Sequence, residues 1–245
     1  MATISEDFST GLQAHWTLDE ESGTRADSVG SNDLTDESTV GFDTGIQSNA
    51  VALVSASSDY LSAADNAALR VDDTWSVSYW FYANSLPTGG GGMYIMNARS
   101  GENGWGVGIQ ENGGSVYHSV WAGSGSFSNT RSTATVSAST WYHCVVYFNG
   151  SNTKLYVNGT VSETINVPAI TNPTNGFHLG KKYTSSGDYF NGLVDEVTFW
   201  NTEITSANEA TIYNSGSGIP YAPPQTIKSI NGLAIASIKS INGLA

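Results

Sequence analysis

The chain predicts an all-β fold, and three observations carry that expectation. Gly (27 residues) and aromatic residues (11%) are abundant while charged residues make up only 13%, the profile of a turn-rich β protein rather than of a helical bundle or a disordered chain. Short apolar runs of strand length recur from residue 1 to about 220, each bounded by Gly, Asn and Ser clusters. No alternation of strands with long helical patterns occurs, which argues against a parallel sheet.

Val51–Val54, Ser76–Tyr82, Gly106–Ile109, Ser115–Trp121, Trp141–Phe148, Lys154–Val157 and Phe177–Leu179 read as strands, followed by a last long one within Asn191–Trp200. Asn112-Gly113, Asn149-Gly150 and Asn158-Gly159 offer the positive φ values of tight hairpins. One helix is predicted from about Ala207 to Tyr213, with Ser206 and Glu209 in capping-box spacing. Trp75, Trp80, Trp141 and Trp200 read as core fillers and Cys144, the single cysteine, as a small buried hydrophobe. At 245 residues the body, 1–220, fits one large β domain, and residues 221–245 form a separate tail.

Composition excludes several classes of function. The net charge is −13 and the nine basic residues are scattered, so no basic groove for nucleic acid can be drawn. One cysteine allows no internal disulfide and no thiol-based zinc or redox motif. No apolar stretch approaches bilayer length, and the N-terminus shows no secretory signal. A glycosidase needs two carboxylates facing one cleft; Asp195 and Glu196 are neighbours that should point to opposite faces of a strand, as are the acids of Asp19–Glu21. Gly-x-Ser-x-Gly is absent. His15, His118, His143 and His178 are separated from one another, with His118 placed on a sheet surface, and Gly89–Gly92 reads as an inter-strand loop without the Lys-Ser/Thr of a phosphate-binding loop. The chain is therefore expected not to be an enzyme.

Asp195 is the most informative residue. Alternation places it with Leu193, Val197 and Phe199 on an apolar strand face, where an ionised carboxylate needs a metal, a set of backbone donors or an exposed strand end. Far upstream, seven carboxylates and one Arg lie between Asp19 and Glu37 in a Gly-, Ser- and Asn-rich segment, hard-oxygen ligands suited to calcium but without an EF-hand register.

Four motifs recur in a telling order: Trp16-Thr-Leu-Asp-Glu-Glu-Ser-Gly with Asp27-Ser-Val-Gly; Trp75-Ser-Val-Ser-Tyr-Trp-Phe; Trp141-Tyr-His-Cys-Val-Val-Tyr-Phe-Asn-Gly-Ser with Leu155-Tyr-Val-Asn-Gly; and Tyr189-Phe-Asn-Gly-Leu-Val-Asp-Glu-Val. Over about residues 10–215 the chain resembles a laminin-G-like jelly roll of the concanavalin A-like lectin and glucanase superfamily. The resemblance implies a two-sheet antiparallel sandwich with a concave and a convex face. It also implies a structural calcium ion tying the acidic loop to the last long strand, with Asp27 and Asp195 as side-chain ligands and oxygens near Gly30 and Asn32 as further candidates. Trp105, Tyr117 and Trp121 fall in a Gly-rich region that reaches the concave side in such folds, where aromatic faces stack on sugars; the alternative for any such ring is the core.

The tail carries a perfect repeat, Ile227–Ala234 and Ile238–Ala245, with two lysines and no acid. Asn231-Gly232 and Asn242-Gly243 favour short extended pieces joined by turns, and Ile227, Ile230, Ile238 and Ile241 need a partner surface. The repeat resembles tails at the ends of phage structural and other surface proteins. The expected function is therefore a non-catalytic display protein on a virion surface, oligomeric through its assembly, with an extracellular or cell-surface carbohydrate-binding module as the alternative.

Overall fold

The computed structural model describes residues 2–70, 74–150, 152–166, 170–171, 175–183, 188–222, 229–230 and 233–234. The elements, in chain order, are α1 (Ile4–Asp7), β1 (Leu12–Trp16), β2 (Thr35–Asp36), β3 (Gly41–Thr44), β4 (Asn49–Leu53), β5 (Leu61–Ala63), β6 (Trp75–Ala83), β7 (Gly92–Ser100), β8 (Asn103–Asn112) and β9 (Ser115–Gly123). There follow β10 (Phe127–Thr135), β11 (Trp141–Phe148), β12 (Asn152–Val157), β13 (Thr160–Asn166), β14 (Phe177–Leu179), β15 (Gly192–Trp200), α2 (Ser206–Tyr213), β16 (Ser229–Ile230) and β17 (Leu233–Ala234).

Two antiparallel sheets form the sandwich. The first runs β13-β12-β11-β6-β15-β4-β3 with β1 also on β15, and the second runs β10-β9-β8-β7-β14-β5-β2. The hairpins fall where the Asn-Gly pairs predict them: β8 to β9, β11 to β12 and β12 to β13, with Asn158 itself left-handed at φ 49°. Between the sheets lies one core, including Trp16, Trp75, Tyr79, Trp105, Phe177 and Phe199. A second cluster covers the outer side of the first sheet. There Ile4 and Phe8 of the N-terminal segment, Ile204 and Ile212 around α2, and Ile219 pack on Val145, Tyr156 and Trp200.

The helix begins one residue earlier than expected. Thr205 is the cap, its hydroxyl accepting from the Asn208 amide while the Asn208 side chain accepts from the Thr205 amide. Glu209 is thereby released from capping and turns fully inward. In the tail, β16 pairs antiparallel with β17, which matches the expected short extended pieces; Asn231 and Gly232 lie outside the described residues. Ile227, Ile238 and Ile241 lie outside the described residues, and Ile230 enters only through its backbone pairing.

Candidate functional site

The outer face of the second sheet is built around a strip without side chains. Along β8, Trp105, Val107 and Ile109 belong to the core, so the alternate positions Gly104, Gly106 and Gly108 face outward. Trp105 is therefore a core residue and not a ligand contact, a correction with a simple cause: where glycines hold the outward positions, every side chain of that stretch goes inward. On β9, Val116, Val120 and Ala122 point into the core, leaving Tyr117, Ser119 and Trp121 outward. Of the three expected aromatic contacts, Tyr117 and Trp121 are brought together on this face.

One cross-strand rung runs Ser62, His178, Asn97, Gly106, Trp121, Asn129, each residue opposite the next. The adjacent rung places Tyr94, Gly108, Ser119 and Arg131 in line. Tyr94 stacks on Trp121 at 4.4 Å between ring centroids, and a Cβ on Gly106 would sit 3.0 Å from the Tyr94 ring, so the glycine is what lets the ring lie down on the sheet. Beyond Tyr94, the Arg99 guanidinium is held between two rings, 5.5 Å from Tyr94 and 4.9 Å from Tyr183, and donates to the Tyr94 hydroxyl and the Gly101 carbonyl. Burial pushes the Tyr94 phenol up to about 12, so it stays a neutral hydroxyl. Sequence reading missed Tyr94, Asn97, Arg99 and Tyr183; β7 itself was missed because Asn97 and Arg99 interrupt its apolar pattern.

Three polar atoms of this face are buried without a hydrogen-bond partner: Asn97 Oδ1, Ser119 Oγ and His178 Nδ1. Such groups each cost about 1–3 kcal/mol unless something satisfies them. Asn97 and Ser119 are themselves fully buried, on the rungs that carry Trp121 and Tyr94. The Gly89–Gly92 loop at the edge of this face is pinned, since both Gly90 and Gly114 donate backbone N–H groups to Glu111.

Of the expected cation ligands, Asp195 lies on β15 of the first sheet, whereas Asp27, Gly30 and Asn32 lie in the loop between β1 and β2. Asp27 accepts four bonds, from the amides of His15, Val29 and Asn32 and from Asn32 Nδ2, which occupies both of its oxygens. It organises the turn around Gly30 and Asn32 and has no oxygen to spare. Asp195 is held elsewhere, its Oδ2 accepting from Ile46 N at 2.7 Å and Gln47 N at 3.1 Å. The alternation assumed for β15 is broken by a bulge: register with β6 slips between Asp195 and Thr198, and Glu196 takes φ 50°. Val194, Val197 and Phe199 face the core, so Asp195 lies on the outer side, away from Val197 and Phe199, and its neighbour Glu196 reaches His15 on that same side. Asp195 Oδ1 is buried without a hydrogen-bond partner, and Glu196 Oε2 has only His15 Nε2, 3.2 Å away and outside hydrogen-bond geometry. Burial, and then Glu196, raises Asp195 to about 8; burial, and then Asp19, raises Glu196 to about 8.

The histidines are less isolated than their spacing suggests. His15 Nδ1 lies 2.8 Å from Thr198 Oγ1 and its Nε2 3.2 Å from Glu196. His143 Nε2 lies 2.8 Å from Ser78 Oγ and its Nδ1 3.2 Å from Glu209 Oε1. This second set has the connectivity of a nucleophilic relay, yet Ser78, His143 and Glu209 are all buried, with Trp80 and Tyr213 packed over the imidazole. It is a polar clasp joining β6, β11 and α2. His118, expected on a surface, points into the core against Tyr79 and Phe81, because Tyr117 and Ser119 hold the outward positions.

His118 gives a pH prediction. Burial lowers its pKa to about 3, so between 6.5 and 3 only the unfolded chain takes up this proton and stability is lost as the pH falls through that window. At pH 5 the loss from this group is about 2 kcal/mol. His118→Gln should remove it, and the stability difference between wild type and variant in urea melts should shrink as the pH is lowered from 7 to 5.

Sandwich, acidic clasp and aromatic face together define a lectin-like β domain. Residues 55–208 match the family profile described as the concanavalin A-like lectin/glucanases superfamily, of laminin G type, and the chain belongs to this family. No curated protein sequence matches it. Among solved structures, the chain is similar to domain 4 of AbnA, a GH43 extracellular arabinanase from Geobacillus stearothermophilus, in complex with arabinotriose, at 20% identity and TM-score 0.67 over 82% of this chain and 97% of that one. It is also similar to the binding domain of Paraclostridial Mosquitocidal Protein 1, at 14% identity and TM-score 0.67 over 84% and 52%. A botulinum neurotoxin type C structure described as interacting with two ganglioside molecules matches at 17% identity and TM-score 0.65 over 84% and 51%. The chain spans about half the length of the two toxin chains, and at these identities the likeness is one of fold. Among the described residues no helix is long and apolar enough to cross a membrane.

Proposed function

We propose that the body is a non-catalytic carbohydrate-binding module whose ligand lies on the outer face of the second sheet, over the Tyr94–Trp121 stack that covers the glycine strip of β8. The observation that carries this reading is the run of aromatic rings on one outer sheet face, Tyr94 stacked on Trp121 with Tyr117 on the same strand as Trp121 and Tyr183 across the Arg99 guanidinium. Tyr94 and Trp121 largely bury each other, whereas Tyr117 and Tyr183 are half-buried and keep part of their rings open. Tyr117→Ala should weaken glycan binding about tenfold, some 1.4 kcal/mol, at an unchanged melting temperature. Titration with arabinan, galactan and uronan oligosaccharides checks this, and products released from any of them would refute the non-catalytic reading.

Calcium is proposed as a structural ion at Asp195 and Glu196 rather than at Asp27. Asp195 Oδ1, which has no hydrogen-bond partner, and Glu196 Oε2, which has only His15 beside it, suit a hard divalent cation. No group of three or more His, Cys, Asp or Glu among the described residues forms a metal cluster, so backbone carbonyls and water would complete the shell. The ion would neutralise β15 at its bulge and brace it against residues 46–47. A chelator should lower the melting temperature, by the equivalent of about 2.7 kcal/mol if calcium stood at a hundred times its Kd, and Asp195→Ala should abolish that sensitivity. Melting curves unaffected by chelator would refute the site.

A second reading, display on a virion through the tail, is favoured by the tandem repeat and by the tail's lack of acids. Removing residues 223–245 should leave the body folded and abolish incorporation into particles; a truncated chain that still co-purifies with particles would overturn it, and an isolated body that still binds glycans would leave the module reading standing alone.

A further inference from the structure

Resting on the reading that a glycan lies on the outer face of the second sheet, we propose that this glycan is anionic, an oligosaccharide bearing carboxylate or sulfate groups and held between Lys181 on one side of the glycine strip and Arg131 on the other. The chain carries only nine basic residues against 22 acids, yet Arg99, Arg131, Lys181 and Lys182 all collect here. A cationic face on so acidic a protein has to be built locally, because the long-range field repels anions.

The four cations differ in what they already hold. Lys182 is paired with Asp188 at 2.9 Å, and Arg99 is engaged between its tyrosine rings. Lys181 projects its ammonium over the Tyr60 ring at 3.9 Å, and its carbonyl accepts from Asn97 Nδ2, which fixes it beside β7. Arg131 faces outward opposite Ser119. Among the described residues neither Lys181 nor Arg131 has a carboxylate within ion-pair distance, and the nearby Glu37 accepts from Ser62 Oγ at 2.6 Å. The Lys181 ammonium lies over Tyr60, the residue before β5, and from β5 to β10 is five inter-strand spacings, roughly 24 Å at about 4.8 Å each, a span of several sugar rings. Across that span the outward surface is aromatic: Tyr94 stacked on Trp121 over the buried glycines, with the half-buried Tyr117 and Tyr183 beside them.

The test is titration of the full chain with short oligogalacturonides, a sulfated galactan oligosaccharide and the uncharged galactan oligosaccharide, at low and high salt. At least one anionic probe should bind about tenfold tighter than the neutral one, with the advantage shrinking as salt screens the charges. Lys181→Gln and Arg131→Gln should each erase most of that advantage without shifting the melting temperature, and which anionic probe prevails tells carboxylate from sulfate. Neutral binding lost in Tyr117→Ala, with no anionic preference, would overturn this inference and leave the module reading intact. Anionic binding indifferent to both charge variants would overturn it as well. Binding of none of the probes would overturn both.

Discussion

Glu209→Ala is expected to destabilise the body by about 3–5 kcal/mol, the largest loss from any single side chain discussed above. Glu209 is fully buried, and its Oε1 accepts from His143 Nδ1 at 3.2 Å and from Gly159 N at 3.1 Å. Burial lowers the His143 pKa, so the ring is neutral. A carboxylate can only accept, which places the imidazole proton on Nδ1 and leaves Nε2 to accept from Ser78. Truncation strands two donors at about 1–3 kcal/mol each and opens a cavity under α2. Glu209→Gln keeps the shape and an acceptor oxygen and should cost about 1 kcal/mol. Urea unfolding decides the matter: an alanine variant as stable as wild type would show that α2 is held by its apolar contacts alone.

Gly108→Ala is the second large effect. A Cβ at this position would fall on the Met93 carbonyl oxygen and within 3.0 Å of the Met93 carbonyl carbon and the Tyr94 Cα, all backbone atoms that no rotamer change can move aside. Overpacking a core against side chains costs about 1–3 kcal/mol; here β7 and β8 must separate, so a loss of about 3 kcal/mol or more is expected. The same displacement moves Tyr94 off Trp121, so glycan binding should disappear together with stability. Thermal melting and titration on one preparation measure both. Full stability with an added methyl would mean that the two strands are not in this register.

The bulge at Asp195 shows where reading a strand in isolation fails. Alternation is a local rule, and for β15 it correctly marked a buried carboxylate in an apolar strand. It assigned the wrong face and the wrong companions, because the slip that brings Asp195 and Glu196 to one side exists only in the pairing with β6. Trp105 and Trp121 differ by one unit of parity, and nothing in a Gly-rich run says which side the glycines face. Ser78, His143 and Glu209 are separated by 65 and 66 residues, so no spacing rule could join them.

By itself the sequence determined the all-β class, the Asn-Gly hairpins, the helix near residue 207, the buried thiol and the buried carboxylate of Asp195. All of these depend on neighbours a few residues apart, whose φ, ψ and burial preferences are intrinsic. Only the tertiary structure decided that Asp27 is satisfied by its own turn, that Glu209 clasps His143, and that Tyr94, Arg99, Trp121 and Lys181 share one face. Those are outcomes of register between distant strands, set by the packing of the whole core and not by any segment's own preference.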